Sequence, residues 1–178
     1  MRVVGGKYKH RRFDVPHSFK ARPTTDFAKE NLFNVLGNRV DFEDCARVLD
    51  LFAGTGSIGM EFVSRGCGEV ISVEKDYAHY SFICKVQHEL GDGAWRPVKA
   101  DVFKFIERPL APFNIIFADP PYALERLAEL PNLVFAHELL DSEGIFVLEH
   151  GKDHDFSNHP HFRQMRVYGS VHFSFFEY

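Results

Sequence analysis

The chain has 178 residues, 45% hydrophobic and 26% charged, with a formal net charge of −4. That length carries one domain with a full hydrophobic core, so 1–178 reads as a single unit, 1–24 as a basic extension and 25–178 as the body. No 18-residue apolar run and no apolar leader are present, which excludes a helical membrane span and a signal peptide and points to the cytoplasm. Cys45, Cys67 and Cys84 are odd in number and lack C-x-x-C spacing, so they read as buried free thiols, with neither disulfides nor a zinc site.

Charge is distributed unevenly. Residues 1–29 hold eight Lys/Arg (Arg2, Lys7, Lys9, Arg11, Arg12, Lys20, Arg22, Lys29) against two acids (Asp14, Asp26), net +6. The remainder holds thirteen against twenty-three, net −10. A polyanion would therefore meet the amino-terminal segment, with Lys7, Lys9, Arg11, Arg12 and Arg22 as its phosphate contacts. Tyr8, Phe13, Val15 and Phe19 interleave with these charges, as in a short β-hairpin packed on the body. A solvated basic hairpin is the plainer alternative.

Next comes a helix capped by Thr24, Thr25 or Asp26. Ala28, Leu32, Val35 and Leu36 form its apolar stripe, and Gly37 stops it. Arg47 to Phe62 reads as strand, glycine turn, helix. Gly54, Gly56 and Gly59 stand in G-x-G-x-x-G order; the first two allow positive φ and close approach of a ligand, the third tight helix packing. Strand Glu69–Glu74 ends in an acid about 20 residues on, where ribose hydroxyls are held in nucleotide-binding sheets. A short strand, 97–100, leads to Asp101, which alone would be a helix N-cap.

The apolar run Phe113–Ala118 reads as a buried strand, and Asp119-Pro120-Pro121-Tyr122 follows it. Two prolines cannot continue a central strand, so the chain leaves the sheet there. Asp119 and the Pro120 carbonyl are then acceptors for an exocyclic amine, and Tyr122 a stacking face for a flipped base. An ordinary turn with a packed tyrosine is the bland reading. A helix over Leu133–Leu140, a strand over Gly144–Glu149 and a terminal pair, Met165–Tyr168 with 171–178, complete the chain. Strands ending in Asp50, Glu74, Asp101 and Asp119, separated by helices, make a doubly wound parallel sheet. The ten histidines are scattered and read as solvated or core residues; no metal is expected.

In order and spacing, the chain resembles the RsmD-type ribosomal RNA guanine-N2 methyltransferases over nearly its whole length. The resemblance rests on Val4-Gly5-Gly6-Lys7 with Arg11-Arg12, Arg22 to Asp26, Glu30 to Asn34, Asp50 to Gly59, Val73-Glu74-Lys75-Asp76, Asp119 to Tyr122, Glu149-His150 and Tyr168-Gly169. It implies an α/β Rossmann-like fold, a doubly wound and mostly parallel sheet with an antiparallel carboxyl-terminal strand. It also implies methyl transfer from S-adenosylmethionine to one guanine of 16S rRNA, on the small subunit or an assembly intermediate, by a monomer. Asp50, Phe52, Ala53, Gly54, Thr55, Gly56 and Gly59 would line the methionine and ribose end of the cofactor. Glu74 with Lys75 would meet the ribose, and Asp101 with Val102 the adenine. Asp119, Pro120, Pro121 and Tyr122 would carry the reaction, Asp119 also bordering the cofactor. The chain departs from the family at His10, where glycine is usual, and after Tyr122, where a glycine is missing. The same Asp-Pro-Pro-Tyr chemistry serves adenine or cytosine in DNA or another RNA. A nicotinamide-dependent oxidoreductase or a silent nucleotide-binding module is the rival from another class.

Overall fold

The computed structural model describes residues 1–19 and 25–178. Its strands are β1 (Arg47–Leu51), β2 (Glu69–Glu74), β3 (Trp95–Lys99), β4 (Phe113–Ala118), β5 (Leu140–His150), β6 (Phe162–Tyr168) and β7 (Val171–Phe176). The helices are α1 (Asp26–Gly37), α2 (Ser57–Ser64), α3 (Tyr77–Leu90), α4 (Val102–Ile106) and α5 (Leu130–Ala136). All seven strands share one sheet in the order β3-β2-β1-β4-β5-β7-β6. The first five are parallel, and β7 joins β5 and β6 antiparallel. This is the doubly wound, Rossmann-like sheet expected from the sequence.

The central strands are apolar on both faces because helices cover both faces. Val48, Val70, Ile115, Phe117 and Val147 pack with α1, α2 and α3. Leu49, Leu51, Ile71, Ile116, Phe146 and Leu148 pack with α4 and α5. After β3 the chain crosses back over β1 to form β4, so the strand order reverses between β1 and β4. The crevice at their carboxyl ends is where such sheets bind ligands.

Several boundaries differ from the sequence reading. The helix expected over Leu133–Leu140 is α5, which begins and ends earlier. Glu138 takes a left-handed φ of 51°, which turns the chain before Leu139 and Leu140. Those two apolar residues mimic a continuing helical stripe, but they are buried against the sheet, and Leu140 already pairs with Phe113. Strand β5 therefore starts four residues before Gly144, with an irregular register around it. Strand β3 starts at Trp95 rather than Pro97, because the indole is buried and donates to the Ser72 hydroxyl at 3.0 Å. Strand β6 likewise starts at Phe162 rather than Met165.

Helix α1 is capped by Thr25, whose hydroxyl accepts the Ala28 N–H at 3.2 Å. The alternative cap Thr24 lies outside the described residues. Gly37 is the last residue of α1, as expected, and Asn38 follows it in right-handed geometry.

The amino-terminal segment is a tight antiparallel turn rather than two strands. Arg2 and Arg12 form its one bridge, and Val3 N–H donates to Arg11 at 3.0 Å. His10 holds φ 74° at the turn where glycine is the usual residue. Val3 and Phe13 are buried, so the segment is docked on the body. Gly6 makes that docking possible: a Cβ there would stand 1.9 Å from the Ser64 carbonyl oxygen.

A buried polar network locks the contact. Lys29 is 1% exposed, and its ammonium donates to the Arg2 carbonyl and, at 3.0 Å, to the Ser57 hydroxyl. Glu61 is 0% exposed, 3.9 Å from that ammonium, and accepts the Val4 N–H at 2.9 Å and Arg65 Nε at 3.0 Å. Lys29 counts among the basic residues of the sequence, but its charge belongs to the interior and cannot meet a polyanion.

Candidate active site

At the carboxyl end of β1 the chain makes a turn no ordinary loop would tolerate. Phe52, Gly54 and Gly56 have φ of 59°, 55° and 75°. The three glycines of the motif play different parts. A Cβ on Gly59 would lie 2.2 Å from the Ser72 hydroxyl, and one on Gly56 would lie 2.8 Å from the Trp95 ring. These two serve close packing. A Cβ on Gly54 would meet only the Phe52 oxygen, at an ordinary contact distance of 3.9 Å, so nothing crowds the backbone there. That open cradle fits a ligand approaching the main chain.

Two acids shape the turn. Asp50 is 1% exposed; its carboxylate accepts the Gly59 N–H at 3.1 Å and the Ser72 hydroxyl at 2.8 Å. Burial pushes its carboxyl up to about 7, against the lowering effect of those two bonds. Asp50 therefore supports the turn from beneath. Glu74 accepts the Gly54 N–H on one oxygen and the Asp76 N–H on the other, each at 2.7 Å. Each oxygen keeps a second lone pair for a ligand hydroxyl. Thr55 is buried, Ala53 half-buried with its N–H on the Val73 carbonyl at 3.0 Å.

The next strand end is occupied by its own partners. Asp101 caps α4, accepting the Phe103 N–H at 3.1 Å and the Lys104 N–H at 3.4 Å. Its other oxygen pairs with the exposed Lys75 at 3.0 Å, and that bond leads in holding the carboxyl low. Val102 is buried.

Asp119 leaves β4 beside β1, its N–H on the Leu51 carbonyl at 3.3 Å. It is half-buried, Pro120 is buried, and Pro121 and Tyr122 are exposed. Burial, then the charges of Glu149 and Asp50, push its carboxyl well above the usual carboxylate range. Tyr122 donates its hydroxyl to Glu149 at 3.0 Å. Its ring lies over Gly151, where a Cβ would come within 3.1 Å.

Glu149 also stands at this edge, and the sequence candidates do not include it. It is the last residue but one of β5, is 4% exposed, and burial pushes its carboxyl up to about 7. The signal is present in the sequence: an acid closing an apolar strand, as at the other four strand ends.

Asp50 and Glu149 are both raised above ordinary values of 3.8 and 4.5. Both thus bind protons more tightly in the fold than in the unfolded chain. Their contribution to stability is complete below about pH 4 and is lost as pH rises through about 7. Denaturant midpoints are expected to fall from about pH 5 to about pH 8, and Glu149→Gln to flatten that fall. An unchanged slope in the variant would remove Glu149 as a cause.

A profile described as "Conserved hypothetical protein 95" matches residues 1–177. Ribosomal RNA small subunit methyltransferase D of Escherichia coli K12 is 34% identical over 149 residues, 84% of this chain and 74% of the relative. The chain belongs to the RsmD-type methyltransferase family. The enzyme of the same name from Haemophilus influenzae is 28% identical over 157 residues, 86% of this chain and 80% of its own. A solved Thermus thermophilus protein is 33% identical, with TM-score 0.86, covering 100% of this chain and 99% of that one. The fold is also that of a T. thermophilus 16S rRNA N2 G1207 methyltransferase solved with AdoMet and guanosine: TM-score 0.70, 22% identity, 89% of this chain and 44% of that one.

The RsmD-type hairpin divides the expected phosphate contacts. Lys7 pairs with Asp92 at 2.7 Å and Arg11 with Glu89 at 3.3 Å, so acids at the end of α3 and just after it already engage them. Lys9 and Arg12 are exposed and form no ion pair among the described residues. Arg22 lies outside the described residues. His150, in the histidine-rich tail, is buried with both ring nitrogens bonded, to the Gly151 carbonyl and the Ser174 hydroxyl at 2.8 Å each. Burial holds it below its ordinary value, which keeps it a neutral core histidine.

Proposed function

We propose that the protein transfers a methyl group from S-adenosylmethionine to the exocyclic N2 amine of a guanine in 16S ribosomal RNA. It would do so as a cytoplasmic monomer, on the small subunit or an assembly intermediate. The observation that carries this reading is the position of Asp119-Pro120-Pro121-Tyr122 beside the open Gly54 turn, at the crevice where the strand order reverses. The names of the relatives favour ribosomal RNA over DNA, and the T. thermophilus enzyme of the same fold, named for the N2 position of a guanine, favours that atom.

The residues divide the work. The Gly54 turn, Phe52 to Gly56, receives the methionine end of the cofactor, and Asp50 braces the turn through Gly59. Glu74 accepts ribose hydroxyls with its remaining lone pairs, Lys75 borders them, and Asp101 with Val102 borders the adenine. When bound, the cofactor supplies a sulfonium-activated methyl group. Asp119 and the Pro120 carbonyl hold the amine in line with it, and Tyr122 stacks on the flipped base. The residues at this edge would keep that nitrogen facing the methyl group and water away from it. The amine becomes acidic on transfer and loses its proton afterwards, with Asp119 as the nearby acceptor. Asp119 therefore works by positioning and charge stabilisation.

The deciding assay is transfer of radiolabel from S-adenosylmethionine to unmodified small subunits and to free 16S rRNA, followed by nucleoside analysis. Label in N2-methylguanosine is expected. Label in another nucleoside would keep the Asp119 chemistry and overturn the guanine assignment.

RNA affinity supplies a second check. Lys9 and Arg12 are the hairpin cations without an ion pair among the described residues, so the Lys9→Ala, Arg12→Ala protein should lose about 1.4 units of slope in log affinity against log salt on single-stranded RNA. Lys7→Ala alone should change the slope less, because Asp92 already neutralises that ammonium. Equal effects would contradict this division.

A further inference from the structure

Glu149 carries an oxygen that nothing in the described fold uses. Ala118 and Leu148 are register partners in β4 and β5, so Asp119 and Glu149 are the next residues along, side by side at the sheet edge. One Glu149 oxygen, Oε1, accepts the Tyr122 hydroxyl at 3.0 Å. The other, Oε2, is buried and has no hydrogen-bond partner among the described residues. A buried carboxylate oxygen without a donor is costly, so its retention at a binding edge calls for a donor that arrives from outside.

Once both are ionised, the two adjacent carboxyl groups form an acceptor–acceptor pair, and a base edge that brings two donors favours that form. The Watson–Crick edge of guanine presents two adjacent donors, N1–H and the N2 amine. Adenine and cytosine present an amine beside a bare ring nitrogen, whose lone pair would face the second carboxylate. Resting on the guanine reading above, we propose that Glu149 is the specificity-determining residue of the site: its Oε2 accepts the N1–H of the target guanine while Asp119 holds the N2 amine. Residues 121–123 beside this edge are exposed, so a base can approach it from solvent. Glu149 keeps Tyr122 through Oε1 as the base enters.

The test uses small subunits reconstituted with either guanine or 2-aminopurine at the acceptor position. 2-Aminopurine keeps the amine but has a bare N1. The wild-type protein should methylate it at least about 100-fold less efficiently in kcat/KM, since a site built for a donor rejects a base lacking it. Glu149→Gln offers an amide N–H to the bare N1, so the guanine/2-aminopurine ratio should fall at least tenfold. The missing O6 of 2-aminopurine affects both proteins and cancels in that comparison.

S-adenosylmethionine affinity, measured alongside, reports an intact fold. A wild type that accepts 2-aminopurine within about threefold of guanine overturns the proposal without any variant. So does an unchanged ratio in Glu149→Gln, even with a lower rate, because that is the mark of a residue that only holds Tyr122. A wild type that labels no guanine at all would instead sink the functional reading beneath it.

Discussion

Asp119→Ala should lower turnover by a factor of about 100 to 1,000 or more, with S-adenosylmethionine affinity changed little. The loss falls on the chemical step because Asp119 is assigned to the amine. The turn proposed to receive the cofactor is held by other groups: Glu74 on Gly54 and Asp50 on Gly59. Stability should move the opposite way. Asp119 is crowded by Glu149 and Asp50, both like charges. Removing it relieves that repulsion, so Tm at or above neutral pH is expected to stay level or rise. Near-normal turnover would end the assignment, and a large drop in Tm would show that the carboxylate braces the fold instead. Single-turnover rates, calorimetric cofactor binding and thermal melts together separate these cases.

Lys29→Ala should cost about 3 to 5 kcal/mol of folding stability, as expected when one partner of a buried charged network is removed. The ammonium bonds the Arg2 carbonyl and the Ser57 hydroxyl, and it faces a fully buried Glu61. Burial lowers its own proton affinity, so the site is costly even when filled. Lys29→Met fills the volume without the charge. It should cost less, since Arg65 and the Val4 N–H still satisfy Glu61. Urea denaturation of both proteins checks this; a loss below about 1 kcal/mol for Lys29→Ala would mean that Arg65 alone balances Glu61. The same variant should weaken cofactor binding, because Ser57 begins α2 directly after Gly56.

The strands and their acidic ends are legible in the sequence because a parallel strand covered on both faces must be apolar throughout. Against that background an acid at or just beside the strand's end stands out, as Asp50, Glu74, Asp101 and Asp119 all do. Glu149 carries the same sign, but its importance lies in the Tyr122 bond, a contact across 27 residues. The α5–β5 boundary is illegible because Leu139 and Leu140 suit a helix stripe and a strand equally, and only the left-handed Glu138 separates them. Short apolar runs carry no period that could decide this.

The charged residues draw the clearest line. From the sequence alone, the amino-terminal segment is a basic patch with Lys7, Lys9, Arg11, Arg12 and Arg22 as its phosphate contacts, and Lys29 adds to the same count of charge. In the fold Lys29 is interior, Lys7 and Arg11 are paired, and Lys9 and Arg12 face outward. Local pattern determined the order of strands and helices, the glycine turn and the Asp119 loop, because backbone geometry and burial period act over a few residues. Tertiary structure alone decided which charges are spent on one another and which acids crowd together. Coulomb energy and desolvation depend on distance in space, and distance in the chain does not reveal it.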